Sequence, residues 1–481
     1  MNFRRPARFV SITTAALTVF MLFPAIWSAA ARDGGFVPLI CSFAVGVAAA
    51  SALYLAGSAA PGGMDTREAI LSVTGAWIFA SALTGLPYIF SGTLPRYLDA
   101  LFEGVSGFTT TGATVIADLE SVPRGILLWR ALSQWVGGVG IVVFALAFFP
   151  MAGAARLYKE EITGPFLERL TPRIRGTATF LCKMYLVLTL SHILLLIAGG
   201  LDIFDSLTLA FSTAATGGFL PYSDNAGHFA SGYVRLVTAL FLFLSAMNLA
   251  LFHAVIVKRS LSPMRENPEL RFYASLFLSF GAAISLILYR SGAYGSLTEP
   301  LSDGFFHTAS MLATCGFFTT DYNAWPNSAR MLMLILMFCG GCAASTAGGI
   351  KCGRVVIVMR HIGAEFTRRL HPRAIVPTRI GGNAIDAGVI SSCFSYFAAY
   401  FGIFTVGLAL LGFFGEGITT SISGVAATLG NVGPGFGMAG PGQGYAAMPD
   451  GVKIVYIALM LCGRLEIFTL LILFTPRFWR G

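Results

Sequence analysis

One short polar stretch recurs four times along this chain, and every copy lies between long apolar segments. The first is Ser106-Gly107-Phe108-Thr109-Thr110-Thr111-Gly112-Ala113-Thr114. The others are Ser212-Thr213-Ala214-Ala215-Thr216-Gly217-Gly218-Phe219, Leu312-Ala313-Thr314-Cys315-Gly316-Phe317 and Ala426-Ala427-Thr428-Leu429-Gly430-Asn431. Aligned on Gly112, Gly217, Gly316 and Gly430, the copies lie 105, 99 and 114 residues apart. They are too rich in Thr and Gly to face lipid as helices. Non-helical backbone at membrane depth is tolerated only where it is buried in protein or lines a water-filled cavity. Four such loops between apolar helices therefore imply four units that enclose a pore of fourfold pseudo-symmetry.

Composition places those loops in a membrane. Of 481 residues, 56% are hydrophobic and 11% are charged, against about 25% charged in a soluble domain. The formal charge of +9 does not point to nucleic acid, because the basic residues fall in loops between apolar segments, which is the membrane-orientation pattern. The 8 cysteines have no framework spacing, so free thiols are expected. Cys339-x-x-Cys342 lacks the second Cys or His pair that a zinc site needs.

A spanning helix takes roughly 20 apolar residues, and ten candidates are expected at about 9–31, 35–58, 69–91, 124–149, 178–200, 232–257, 271–290, 329–359, 388–413 and 452–475. The first carries Arg4, Arg5 and Arg8 before an apolar run and Ala29-Ala30-Ala31 after it, like a signal peptide, but its length favours a retained helix. With both termini cytoplasmic, 23 of the 32 basic residues fall on the inside, as the positive-inside rule requires. All four Thr/Gly loops then enter from outside, each preceded by a half-helix (about 98–108, 203–213, 302–312 and 417–427). The expected fold is an all-α polytopic membrane protein. An N-terminal transmembrane hairpin (1–60) precedes pore repeats at 61–150, 151–258, 259–360 and 361–481.

A permeating cation exchanges its water shell for oxygens, and rings of backbone carbonyls supply them. Glycine opens backbone conformations closed to other residues, Thr hydroxyls add uncharged oxygens, and the negative ends of the half-helices favour a cation. The candidate filter residues are Thr110, Thr111 and Gly112; Ala215, Thr216 and Gly217; Thr314, Cys315 and Gly316; and Thr428, Leu429, Gly430 and Asn431.

Two further stretches interrupt apolar helices. Gly340-Gly341-Cys342-Ala343-Ala344-Ser345-Thr346-Ala347-Gly348-Gly349 is poor helix, each Gly costing up to about 1 kcal/mol against Ala. It reads either as a tight helix crossing or as an unwound loop below the filter, able to block the pore. Lys351 follows as a cation-repelling charge or an anchor for that loop. Gly463-Arg464-Leu465-Glu466 puts charge inside the last apolar helix, and a charge at such depth marks function. Arg464 is the candidate pore charge, with a local Arg464–Glu466 pair as the competing reading. Glu103 either pairs structurally or attracts cations, Trp135 to Gly140 reads as a close-packing face, and His192, His253 and His307 read as packing residues. No nucleophile–base or metal constellation supports an intramembrane enzyme.

Taken together these motifs resemble the Trk/Ktr/HKT superfamily of potassium transporters, specifically the bacterial Trk membrane subunit. The resemblance rests on residues 106–114, Gln-Trp-Val-Gly-Gly-Val-Gly at 134–140, Asn-Pro-Glu-Leu-Arg-Phe-Tyr at 267–273, Ser-Thr-Ala-Gly-Gly-Ile-Lys at 345–351, Gly-Asn-Val-Gly-Pro-Gly-Phe-Gly at 430–437 and Gly-Arg-Leu-Glu at 463–466. It implies a homodimer in the bacterial inner membrane, with potassium as the transported ion and no organic cofactor in this chain. It also implies a filter at Gly112, Gly217, Gly316 and Gly430, a gate at 340–350, and Arg464 as the pore-lining arginine. A cytoplasmic Trk-A-type subunit binding NAD(H) or ATP/ADP would control opening, docking on the basic loops at 150–177 and 351–380. Sodium-permeable, or sodium- or proton-coupled, uptake is the alternative. Serine in place of a filter glycine accompanies sodium permeation in the superfamily. Cys315 sits where many relatives carry Thr or another small residue.

Overall fold

The computed structural model describes residues 2–57, 64–140 and 174–480. The predicted run of the fourth span to 149, and the basic loop 150–177 as far as 173, lie outside the described residues. Outer and inner below follow the orientation that the basic residues predict.

The N-terminal hairpin pairs α1 (Arg4–Phe20) and α2 (Leu22–Ala31), together one apolar span, with α3 (Phe36–Ala56). Asp33, in the turn between them, accepts hydrogen bonds from the Gly35 and Gly125 N–H groups (3.0 and 2.6 Å). That carboxylate satisfies an open donor at the start of the helix 124–139 and ties the hairpin to the first unit.

Each unit then runs long helix, half-helix, extended strand, second helix. In the first these are α4 (Thr66–Phe90), α5 (Tyr97–Phe108) and α6 (Arg124–Val139). The second has α7 (Ile174–Ala198), α8 (Ile203–Ala215), α9 (Gly232–Ser245) and α10 (Leu249–Lys258). A short α11 (Ser262–Glu266) leads to the third, with α12 (Pro268–Arg290), α13 (Thr298–Leu312), α14 (Asn327–Phe338) and α15 (Cys352–Leu370). The fourth has α16 (Ala387–Phe413), α17 (Ile418–Leu429), α18 (Asp450–Arg464) and α19 (Phe468–Leu471), followed by α20 (Pro476–Trp479). All four half-helices begin and end within four residues of their expected bounds. One apolar core centres on the hairpin and the first and fourth units, and a second on the second and third, which Ala426, Val432 and Phe436 of the fourth also join.

Two expectations about the second helices are corrected. The span expected at 232–257 bends by 85° between α9 and α10, and the one at 452–475 bends by 113° beyond Arg464. Asn248 caps α10 through the Ala250 N–H (2.9 Å), and Glu466 and Ile467 take left-handed φ of 55° and 61°. Neither break contains proline, so hydropathy alone reads straight through both. The break in the third unit falls where Gly340 to Gly349 predicts it, between α14 and α15.

A two-stranded hairpin, β1 (Arg379–Ile380) with β2 (Asn383–Ala384), is an addition to the expected all-helical chain. Gly381 and Gly382, at φ 57° and 87°, make the two-residue turn that such hairpins require.

Candidate functional site

The four half-helices end in the same way. Thr111, Gly217, Cys315 and Val432 donate their N–H to Ser106, Ser212, Ser310 and Ala427 carbonyls at 2.8, 2.9, 2.9 and 2.7 Å. One residue earlier, Thr110, Thr216, Thr314 and Asn431 stand in the left-handed region at φ 56°, 53°, 53° and 54°. One residue later come Gly112, Gly218, Gly316 and Gly433 at φ 86°, 87°, 76° and 99°. Left-handed backbone is strained for a β-branched residue, so three threonines held there mark a segment that the surrounding structure forces.

This geometry corrects the register in two units. Gly218 and Gly433, not Gly217 and Gly430, are equivalent to Gly112 and Gly316. Gly430 sits at φ −79° on the last turn of its half-helix, and Thr428 and Leu429 lie within that helix. Ala215 likewise ends α8. In this register the four segments share a Thr/Asn-x-Gly triplet, Thr110-Thr111-Gly112, Thr216-Gly217-Gly218, Thr314-Cys315-Gly316 and Asn431-Val432-Gly433, but Thr428-Leu429-Gly430 has the same pattern and only the backbone φ tells the two apart.

These glycines close a ring. A Cβ on Gly112 would collide with the Gly217 carbonyl oxygen, one on Gly218 with that of Cys315, one on Gly316 with that of Val432, and one on Gly433 with that of Thr111. Each unit therefore presses a carbonyl against the glycine of its neighbour, and the fourth returns to the first. Only a residue without Cβ permits that approach at positive φ. On the outer side, Gly112, Gly218 and Gly316 open onto a cavity of about 170 Å³. The Asn431 side chain donates to the Thr111 hydroxyl and the Met460 carbonyl (both 3.0 Å), fastening the fourth unit to the first.

Beneath the ring lies the segment 339–351. Its ends are zipped by the Gly340 N–H to Ile350 carbonyl bond (2.9 Å) and the Ile350 N–H to Phe338 carbonyl bond (3.1 Å). Buried Glu269 clasps both sides, accepting from Ala343 N–H (2.7 Å) and Gly353 N–H (2.8 Å). The segment touches the second, third and fourth units. Thr346 donates to the Ala214 or Ser245 carbonyl (3.1 and 3.2 Å), Gly348 N–H donates to the Thr314 hydroxyl (2.6 Å), and Gly348 packs against Gly430 and Asn431. Arg464 donates to the Thr346 carbonyl (2.9 Å) and to the Gly137 and Gly138 carbonyls (2.8 and 3.2 Å), spanning from the loop to the first unit. Lys351 is buried and donates to the Ala347 carbonyl, a loop-anchoring contact. Ser345, Thr346, Gly348, Gly349, Lys351 and Arg464 border an inner cavity of about 90 Å³. Glu466 pairs with Arg354.

Glu103 and Arg130 form a buried pair at 2.7 Å, and Glu103 also accepts from the Thr114 hydroxyl and Val115 N–H (3.0 and 2.9 Å). Its role is thus structural, bracing the strand beyond Gly112. Gly137 and Gly138 let α6 pack against Phe108 and Ala215. His307 is bonded to the Asp303 carbonyl (2.8 Å), and His192 stacks on Phe241. Sequence reasoning singled out neither Glu269 nor Gln134 as site residues, because their partners lie far away along the chain.

The fold and the ring define a polytopic membrane transport protein built on four re-entrant units. A family model described as "TrkH: Cation transport protein" matches residues 39–480. The chain is 35% identical to the Trk system potassium uptake protein TrkH of Salmonella typhimurium, over 100% of both chains. It is also 35% identical to the Trk system potassium uptake protein TrkG of Escherichia coli, over 87% of this chain and 86% of the relative. The crystal structure of the potassium transporter TrkH from Vibrio parahaemolyticus matches with a TM-score of 0.91 at 34% identity, covering 100% of both chains. The chain belongs to the TrkH cation transport protein family, a family of transporters and not of enzymes.

Proposed function

We propose that this chain takes up potassium across the bacterial inner membrane through a gated, channel-like pore. The observation that carries this reading is the closed cycle of glycines and carbonyls, which lies between an outer cavity and a loop that plugs its inner side. Backbone carbonyls from four strands are the ligand set that replaces a cation's water shell, and the half-helix C-terminal ends add partial negative charge at the same level. The filter residues are Thr110 to Gly112, Thr216 to Gly218, Thr314 to Gly316 and Asn431 to Gly433. In the third unit the Cys315 carbonyl, which faces Gly218, is the ligand and its thiol is not, so the side chain at this position is free to be Cys.

The loop 340–350 is the gate, here closed, with Arg464 and Lys351 as its fastenings. Opening requires the Arg464 and Thr346 contacts to exchange for water or other partners. The membrane subunit works as a homodimer with both termini cytoplasmic, and a cytoplasmic Trk-A-type subunit responding to NAD(H) or ATP/ADP biases the gate. The names of the relatives, each part of a Trk system, support a multi-component assembly.

The test is rubidium uptake and low-potassium growth in a potassium-uptake-deficient bacterium co-expressing the native regulatory subunit, with sodium as competitor. Wild type should rescue growth. Gly112→Ser and Gly218→Ser should lose uptake or admit sodium. A well-expressed wild type that takes up no rubidium would refute the assignment, as would glycine variants that behave like it.

A further inference from the structure

The four filter strands are alike in backbone but differ in what holds them from behind. In three units the strand that leaves the ring is tied to its own half-helix at the third residue past the glycine. Val115 N–H donates to the Glu103 carboxylate (2.9 Å), Thr319 N–H to the His307 ring (3.4 Å), and Phe436 N–H to the Ser423 hydroxyl (2.7 Å). In the second unit that third residue is Pro221, which has no N–H, and the half-helix residue equivalent to Glu103 and His307 is Leu209. Neither end of the tie is available.

A side chain from the neighbouring unit takes that place. Gln134, on α6, is completely buried. Its Oε1 accepts from Phe219 N–H (3.1 Å) and from the Ser212 hydroxyl (2.8 Å), and its Nε2 donates to the Gly217 carbonyl (2.5 Å). The amide orientation is fixed by its partners: an N–H must face Oε1 and a carbonyl must face Nε2. Gly217 also presses directly on Gln134, with no room between them for a Cβ. One of the four ring carbonyls is therefore held by a hydrogen-bond donor from behind. Among the described residues no other ring carbonyl receives a hydrogen bond.

We infer that Gln134 is a specificity-determining positioning residue: its amide fixes the second filter strand and sets the direction and charge of the Gly217 carbonyl. The inference rests on the proposed function. A buried donor and acceptor left without partners cost far more than a surface contact, so the strand relaxes when the amide is removed. A relaxed carbonyl admits a smaller cation, because cavity size and carbonyl field together set the preference. Gln134 touches no ion in this account; it acts through Gly217 and Phe219.

The experiment compares rubidium uptake with sodium uptake for wild type, Gln134→Met and Gly218→Ser, each with the native regulatory subunit. Gln134→Met keeps the chain length but loses all three hydrogen bonds. Its rubidium-over-sodium preference should fall about tenfold, the equivalent of one or two net hydrogen bonds, with membrane yield near wild type. A merely structural role would lower yield and leave the preference unchanged. Wild-type preference in Gln134→Met, alongside lost preference in Gly218→Ser, overturns the inference and leaves the filter intact. Absence of rubidium uptake by wild type overturns the proposed function, and this inference with it. If Gln134→Met does not accumulate, Gln134→Asn, an amide one methylene too short to reach the strand, is read in the same way.

Discussion

The outer and inner halves of the pore are built on opposite plans. The ring repeats one backbone turn four times, down to matching φ values and hydrogen bonds at Thr111, Gly217, Cys315 and Val432. The inner half is less regular: among the described residues the second helices of the second, third and fourth units all break, but only the third breaks into a glycine-rich loop and only the fourth carries an arginine at the break. On the proposed reading the ring is a ligand cage around an axial ion, which needs equivalent oxygens from all sides, and the loop closes the pore, for which a single obstacle suffices. Ion preference and opening should therefore respond to different substitutions.

The largest expected effect is at the ring. Gly433→Val places a β-branched residue at φ 99° with its Cβ against the Thr111 carbonyl, and should abolish rubidium uptake in the complementation assay. The backbone conformation alone costs at least about 1–3 kcal/mol. Retained, selective uptake would break the equivalence of the four strands.

Next is the gate. Arg464→Ala removes charge-assisted bonds to the Thr346, Gly137 and Gly138 carbonyls, each worth about 1.5–3 kcal/mol. Uptake without the regulatory subunit should rise about tenfold or more at unchanged rubidium-over-sodium preference. A changed preference would show that the two halves are not separable.

Glu269→Ala tests the same separation from the other side of the loop. It leaves the Ala343 and Gly353 N–H groups unsatisfied, at roughly 1–3 kcal/mol each. A smaller rise in unregulated uptake is expected, because the loop's own zipper at Gly340 and Ile350 remains. The readout is rubidium flux into vesicles, with thermal stability measured in parallel.

The smallest effects lie outside both halves. Burial pulls the Glu120 carboxyl upward, but hydrogen bonds from the Ser223 N–H and hydroxyl outweigh it and hold the group below its usual value. A depressed carboxylate adds stability above its unfolded value and loses it as pH falls through the folded one. Thermal stability should thus decline on acidification below the ordinary carboxylate range, and Glu120→Gln should flatten part of that decline. Neither uptake preference nor gating should move.

Much of this was legible in the chain itself. Hydropathy located the half-helices because each is a local run of apolar residues with Thr and Gly just past its end. Glycine runs located the loop for a similar reason, since Gly340 to Gly349 cannot sustain a helix. The bend at Ser245 was not legible, because apolar residues continue on both sides of it, and Gly463 to Glu466 marked an interruption of the last helix without showing that it turns there. Glu103 left two readings open until Arg130, 27 residues away, stood beside it.

The sequence by itself determined a membrane chain of four helix, half-helix and helix units after a hairpin, since hydrophobic length and glycine content act locally. Which glycines form the ring was decided only in three dimensions. Gly217 and Gly218 are neighbours, and what separates them is the sign of φ and which carbonyl of another unit each one meets. The same holds for Gln134, the clasp of Glu269 and the seat of the loop. Each depends on backbone donors and acceptors from distant segments, and their positions exist only once the units have closed around one axis.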